Sequence, residues 1–290
     1  MFTKLLKWIG VALGGLVVIA AVAVGVLYAI GNSRLTKKYA VQGDSIAIPG
    51  DPASVELGKK WATAFCAGCH GTDFSGKPMV DDQTIGYFAA PNLTSGEGGS
   101  GSEMTDIDWV LAIRHGVDPH EGRALLAMPS MNYYYLSDKD LGAIIAYIKT
   151  VRPVDHDMGE ADLSFIGKTL LGAGVFGKDV LSAEKIAHTD PRPAIVPPAA
   201  DTRYGGYLVR IAGCRECHGE TLTGGKSPEP GAPQAPDITS NGIFGPWSQE
   251  TFVTAARTMK GKGMPWGMLK PLDDTELEAI FRYLKSLPSK

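Results

Sequence analysis

The chain has 290 residues, with 28 Lys and Arg against 31 Asp and Glu, a formal net charge of −3. That length suits about two domains, and the absence of a basic excess argues against nucleic acid as a partner. The 36 glycines and 19 prolines point to abundant loop structure, and the 44% of hydrophobic residues is spread unevenly.

The unevenness sits at the start. Trp8 to Ile30, "WIGVALGGLVVIAAVAVGVLYAI", carries no charge. About 20 such residues suffice for a membrane-spanning helix. Trp8 and Tyr28 stand near its ends, where amphipathic rings favour the interface. A cleaved leader would have a shorter apolar stretch and an Ala-x-Ala-like site. No good site follows Ile30, so residues 1–34 read as an N-terminal anchor. Lys4 and Lys7 before the span nearly balance Arg34, Lys37 and Lys38 after it, so charge alone leaves the orientation open.

A first helix is expected over Ser54–Phe65, with Gly58 inside it. It leads into "CAGCHG", residues 66–71, which returns as "CRECHG", residues 214–219. Together these hold all four cysteines of the chain. A redox dithiol would want a βαβ pattern, and none is visible. A zinc half-site would need a second ligand pair. Cys-x-x-Cys-His is the attachment signature of a c-type haem. The two thiols meet two vinyl groups of one porphyrin, and the adjacent His70 or His218 faces the iron. Two copies with no spare cysteine favour two covalently bound haems c.

Further along come "PNLT" at Pro91, a glycine-rich loop at 95–103, and a helix over Asp106–His115 with Thr105 as its cap and Asp108 three residues on. After the loop at 116–123 comes "AMPSMNYYYLSD", in which Met128 is the candidate sixth ligand. Met131 is its rival, and a flexible core filler is the plain alternative for either. The aromatic cluster Met131–Asp138 reads as packing around the haem edge, with a partner-docking face as the sharper reading. A closing helix over Asp138–Thr150 carries Tyr147. Arg152–Ala200 is a long connector with an apolar run at 163–181, interrupted by Lys168 and Lys178. That run reads as a helix packed between the domains or lying at a membrane surface. The Pro-rich stretch 190–201 reads as extended.

The second half repeats the first: a helix over Asp201–Ala212 with Gly206, the second motif, "PDIT" at Pro236, and a helix over Gln249–Thr258 capped by Ser248. "GMPWGML" then places Met264 as ligand with Met268 as rival, and a closing helix over Asp273–Ser286 carries Tyr283. In each half Met-Pro precedes a Leu by eight positions, Met128 to Leu136 and Met264 to Leu272. The first half is 12 residues longer between its His and Met. Gly58 and Gly206 stand eight residues before their first cysteines, and each is expected to let the first helix of its domain cross tightly against the last.

This pattern resembles the class I cytochromes c, over residues 51–153 and 200–288. The resemblance implies an all-α fold, a transmembrane helix followed by two tandem domains (51–153 and 200–290) joined by a linker at 154–199. It implies that Cys66, Cys69, His70 and Met128 serve one haem and Cys214, Cys217, His218 and Met264 the other. It also implies that the carbonyls of Pro91 and Pro236 accept the ring N–H of the ligating histidines. Covalent haem attachment then puts the bulk of the chain on the periplasmic side of a bacterial inner membrane, spanned once. Similarity is closer to the cytochrome subunits of membrane-bound alcohol and aldehyde dehydrogenases, although those have three haem domains and their anchor at the other end. The implied role is electron transfer from a dehydrogenase or quinol-oxidising complex to a terminal oxidase or carrier, with no bond-making chemistry. The rival is a dihaem peroxidase or sulfur-compound oxidase, which needs an open iron site or a cysteine ligand, and there is no fifth cysteine.

Among other candidates, His115, His120, His156 and His188 read as surface residues rather than ligands. Trp109, Trp247 and Trp266 read as haem-edge and core packing. Arg114, Arg123, Arg257 and Lys260 are candidate partners of haem propionates.

Overall fold

The computed structural model describes residues 2–177, 179–226, 233–260 and 263–288. The uncharged N-terminal stretch lies within one continuous helix, α1 (Phe2–Thr36), which is long and apolar enough to cross a membrane, with a mean hydropathy of 2.6. The first half then runs α2 (Pro52–Phe65), α3 (Ala67–His70), β1 (Lys77–Asp82), β2 (Gly86–Ala90), α4 (Asp106–Val110), α5 (Ser130–Tyr133) and α6 (Asp138–Ile148). The connector holds β3 (Asp162–Leu163) and α7 (Phe165–Gly172). The second half is α8 (Thr202–Ile211), α9 (Cys214–His218), β4 (Thr223–Gly225), β5 (Ala235–Asp237), α10 (Gln249–Thr258) and α11 (Asp274–Ser286).

The caps are local chemistry. Asp51, Ser137, Ser164, Asp201, Ser248 and Asp273 each accept a backbone N–H from the first turn of the helix they precede. α2 starts two residues earlier than expected because a proline is tolerated in the first turn. Thr105 and Asp108 form a full capping box on α4. The expected helix to His115 is corrected: after Val110 the chain winds one π-helical turn, Leu111–His115, ended by left-handed Gly116. The all-α expectation holds in part: the described residues are mostly helical, with short strands added. β1, β2 and β3 form an antiparallel sheet and β4 pairs with β5. These strands are two to six residues long, too short for an alternating pattern to show, and they pair because their backbone groups need partners.

The first and last helices of each half cross at a glycine. A Cβ on Gly58 would lie 1.9 Å from the carbonyl oxygen of Ala143 and 2.9 Å from the Tyr147 Cβ. In the second half the same contact falls on Gly205, not on the expected Gly206. A Cβ on Gly205 would lie 1.9 Å from the Ala279 oxygen and 2.8 Å from the Tyr283 Cβ. The cause is one extra residue. α2 runs straight into Cys66, whereas left-handed Gly213 (φ 67°) stands between α8 and Cys214.

The two halves pack through one shared core. Two buried carboxylates sit at its centre, at equivalent places: Asp140 and Glu276, each the third residue of its closing helix. Asp140 accepts from Trp61 Nε1 (3.1 Å), Ser137 Oγ (2.7 Å) and, across the interface, the Tyr207 hydroxyl (2.6 Å). Glu276 accepts from the Asp273 N–H (2.8 Å), the Tyr204 hydroxyl (3.3 Å) and, across the interface, Lys60 Nζ. Lys60 and Tyr207 occupy matching positions, two residues after Gly58 and Gly205. The interface is thus approximately two-fold, and each half satisfies the other's carboxylate.

The connector wraps the first half. Asn92 donates to the carbonyls of Val154 (2.8 Å) and His156 (3.1 Å), and Ser182 Oγ donates to the Met128 carbonyl (2.7 Å). The backbone N–H groups of Asp138 and Lys139 donate to the carbonyls of Pro193 and Ala194. His188 lies against His115, with their Nδ1 atoms 2.9 Å apart and their rings stacked. His115 is buried, and desolvation, aided by His188, lowers its pKa to about 4; burial also lowers that of His188. Lys178, one of the two lysines interrupting the apolar run, lies outside the described residues.

Gly205→Ala drives a methyl group into a backbone carbonyl, so it costs on the order of 2–3 kcal/mol or abolishes folding, whereas Gly206→Ala, which meets only the movable Tyr283 ring, costs far less. Thermal melts of the two variants test this. Tyr207→Phe removes one of three donors from Asp140 and lowers stability by about 1–2 kcal/mol, while Lys60→Met leaves Glu276 uncompensated and costs about 3 kcal/mol, both measured by urea unfolding. A histidine with a depressed folded pKa stays neutral while the unfolded chain takes up its proton. Stability is therefore full above pH ~6.5 and falls toward pH 4. Between pH 7.5 and 5 the His115 contribution falls by about 2 kcal/mol, and His115→Gln flattens the profile of unfolding free energy against pH.

Candidate haem sites

Each Cys-x-x-Cys-His motif forms a short helix whose last residue is buried, His70 in α3 and His218 in α9. Two left-handed residues then reverse the chain in each half: Gly71 (φ 84°) and Phe74 (φ 61°), Gly219 (φ 77°) and Leu222 (φ 61°). The reversed loop receives a returning strand. The Leu93 N–H donates to the Phe74 carbonyl (2.8 Å), and the Ile238 N–H to the Leu222 carbonyl (3.0 Å). This brings the Pro91 oxygen 2.8 Å from His70 Nδ1 and the Pro236 oxygen 2.8 Å from His218 Nδ1. A carbonyl only accepts, so Nδ1 carries the hydrogen in both rings and Nε2 is left as the basic nitrogen. Burial holds the pKa of His70 down, which favours the neutral ring.

The Met-Pro segments are shaped alike. The residue before each methionine is left-handed, Ala127 at φ 60° and Gly263 at φ 91°. Pro129 (φ −81°, ψ 47°) and Pro265 (φ −78°, ψ 63°) centre inverse γ-turns. Across them the Ser130 N–H donates to the Met128 carbonyl (2.8 Å) and the Trp266 N–H to the Met264 carbonyl (2.9 Å). Left-handed Phe74, Ala127 and Leu222 all belong to these loops, the pattern of backbone strain held at a working site.

In the first half Cys66, Cys69, His70, Met79, Trp109 and Met128 line a single cavity of about 270 Å³. Met131 lines a different cavity, between the halves. In the second half Met264 and Met268 are both half-buried against the core. Three observations test the fit of a haem. Burial pushes the Cys66 and Cys214 thiols up to about 12, surroundings that suit an uncharged thioether rather than a thiolate. The Trp109 Nε1–H is buried in the first cavity's wall without a partner, a donor waiting for an acceptor. Among the described residues no group of three or more His, Cys, Asp or Glu could hold a metal ion unaided. The residues gathered around the first motif fit a haem.

Three of the four candidate propionate partners are engaged elsewhere, and the fourth is exposed. Fully buried Arg114 donates to the Leu136 carbonyl (3.0 Å), Asp138 (2.9 Å) and Asp44 (3.3 Å). Arg123 pairs with Glu121, Arg257 donates to the Lys270 carbonyl (2.6 Å) and Asp274 (3.1 Å), and Lys260 is exposed. The reading of all four histidines as surface residues is corrected for His115, which is buried; His120 and His156 are exposed, and His188 is half-buried beside it. The sequence reading placed Asn132 and Tyr133 inside the aromatic cluster Met131–Asp138 but missed the contacts this consecutive pair makes. Tyr133 donates to the carbonyl of Phe65, just before the first motif (2.9 Å), and Asn132 donates to Glu216, inside the second. Only the location of the pair just after Met128 could have marked it.

Residues 55–152 match the family model for cytochrome c, and residues 200–284 match that for the cbb3-type cytochrome c oxidase subunit III. The fructose dehydrogenase cytochrome subunit of Gluconobacter japonicus is 28% identical over 263 residues, 78% of this chain and 51% of that protein. The gluconate 2-dehydrogenase cytochrome c subunit of Pantoea cypripedii is 30% identical over 278 residues, 82% and 60% respectively. A dihaem c-type cytochrome of Cereibacter sphaeroides is 27% identical over 201 residues, 62% and 64% respectively. The chain spans between half and two thirds of the length of these relatives. With the matched motifs, the paired His–Pro bonds and the twin Met-Pro turns, both halves of the chain are cytochrome c domains.

Proposed function

We propose that the chain is a membrane-anchored electron carrier holding two covalent haems c, one in each of the units 51–153 and 200–290. The observation that carries this reading is the recurrence in both halves of a ligand-ready histidine, oriented by a proline carbonyl, with a methionine on a stiff turn. Cys66 and Cys69, and Cys214 and Cys217, form the thioethers. His70 and Met128 hold one iron, and His218 and Met264 the other. Haem c supplies a one-electron Fe(III)/Fe(II) couple, and a thioether ligand biases it toward Fe(II). The Pro91 and Pro236 carbonyls fix the imidazole tautomer and ring direction. Asn132 and Tyr133, bonded from one short helix to the second motif and to the residue before the first, support exchange of electrons within the chain.

The relatives named as cytochrome subunits of fructose and gluconate dehydrogenases support a dehydrogenase as donor, and the acceptor we assign is a terminal oxidase or a further carrier. A quinol-oxidising complex is the other donor with suitable chemistry. The anchor reading of α1 over a cleaved leader is supported by its C-terminal end, which is part of the folded body. A Cβ on Gly31 would lie 1.8 Å from the Lys168 carbonyl oxygen, and Arg34 is bonded to Glu184. The haem units then lie on the periplasmic side of a bacterial inner membrane.

Redox titration followed by visible spectroscopy tests the assignment. Met128→Ala and Met264→Ala each lower the potential of one haem by roughly 100 mV or more and leave the other in place. Two unchanged potentials in both variants refute the methionine ligands, and a chain without haem absorbance refutes the function.

A further inference from the structure

The apolar run at 163–181 packs Leu163, Leu171 and Leu181 against Phe88 of the first unit, and its helix has a second neighbour. α7 crosses α1 at close range. A Cβ on Gly31 would lie 1.8 Å from the Lys168 carbonyl oxygen, and one on Gly172 would lie 1.9 Å from that of Leu27. The rings of Tyr28 and Phe165 stack at 4.9 Å. Arg34 donates to the Leu171 carbonyl at 2.8 Å and pairs with Glu184, also at 2.8 Å. The crossing therefore lies at Leu27–Gly31, the level at which the uncharged stretch of α1 ends. From Trp8 to Ile30 that stretch rises about 33 Å, matched to a hydrocarbon core of about 30 Å.

One side of α7 is used and the other is bare. Leu171 is fully buried, whereas Phe165 is 55%, Ile166 45% and Val175 58% exposed. At the same level α1 carries bare apolar side chains of its own, Val26 at 52% and Ile30 at 43% exposed. Lys168, half-buried on α7, has a stem long enough to lift its ammonium group toward phosphates.

We propose that α7 and the turn reaching Val175 form a lipid-seated foot, with Phe165, Ile166 and Val175 entering the acyl–headgroup boundary of the leaflet from which α1 emerges. This rests on the reading of α1 as a membrane anchor. The occupant is lipid because the glycine-to-glycine contact fixes α7 at the height of the span's end, where both helices carry bare apolar side chains. A span alone leaves the body free to rotate about the α1 axis and to lean. A span and a foot together set its face toward the membrane.

The test uses the full haem-loaded chain in vesicles of phosphatidylethanolamine and phosphatidylglycerol, with the irons reduced. Because the four motif cysteines are consumed as thioethers, single cysteines introduced by Ile166→Cys and Val175→Cys take a nitroxide label alone. Val18→Cys in mid-span and Glu56→Cys in α2, which faces water, serve as references. Power-saturation EPR compares collision with oxygen, which dissolves in lipid, and with a water-soluble nickel chelate. The expected result is an oxygen-to-nickel ratio at 166 and 175 several-fold above that at 56 and approaching that at 18. Ratios at 166 and 175 equal to that at 56, with 18 still lipid-like, overturn the foot and leave the anchor standing. Shielding of 166 and 175 from both reagents also overturns it and points to a protein cover. A water-like ratio at 18 refutes the anchor and the foot together.

Discussion

The close crossing of first and last helices organises each half. At Gly58 and Gly205 the absence of a side chain lets one helix backbone rest on a carbonyl of the other. The first helix delivers the cysteines and the histidine at its C-terminal end. The last helix begins a few residues after the Met-Pro turn. Fixing the two helices fixes the origins of both the Cys-x-x-Cys-His and the Met-Pro segments. The loops between them bend at left-handed residues that include Gly71, Phe74 and Ala127 in the first half and Gly219, Leu222 and Gly263 in the second. Rigidity of this kind suits a site in which electron exchange should move few atoms.

The same two helices build the contact between halves. A carboxylate buried beside apolar helices is costly unless its oxygens are bonded, and Asp140 and Glu276 each have three donors. One donor of each set comes from the opposite half, so neither half alone satisfies its own acid. The tandem arrangement is therefore built into the chemistry of the closing helices.

Much of this was legible in the sequence. The motifs are covalent signatures with fixed spacing, and the caps, the Met-Pro segments and the two closing helices all stand on local residue chemistry. What was not legible depends on distant partners. The short strands pair through backbone groups and leave no periodic trace. Arg114 reads as a free guanidinium until Asp44 and Asp138, 70 residues before and 24 after, come to meet it. His115 looks like a surface residue because its neighbour His188 lies in a different segment of the chain. Counting back from the cysteines pointed to Gly206, and the contact lay one residue away because a backbone conformation, not a side chain, had shifted the register.

That shift at Gly213 bears on how the halves relate as parts. The first motif leaves its helix without a break, and the second leaves after a left-handed corner. The two cysteine pairs therefore depart from their supporting helices in different directions. A motif moved from one half to the other without that corner would leave its new helix along a different bearing. The halves are alike in pattern, and this single inserted corner keeps them from being equivalent.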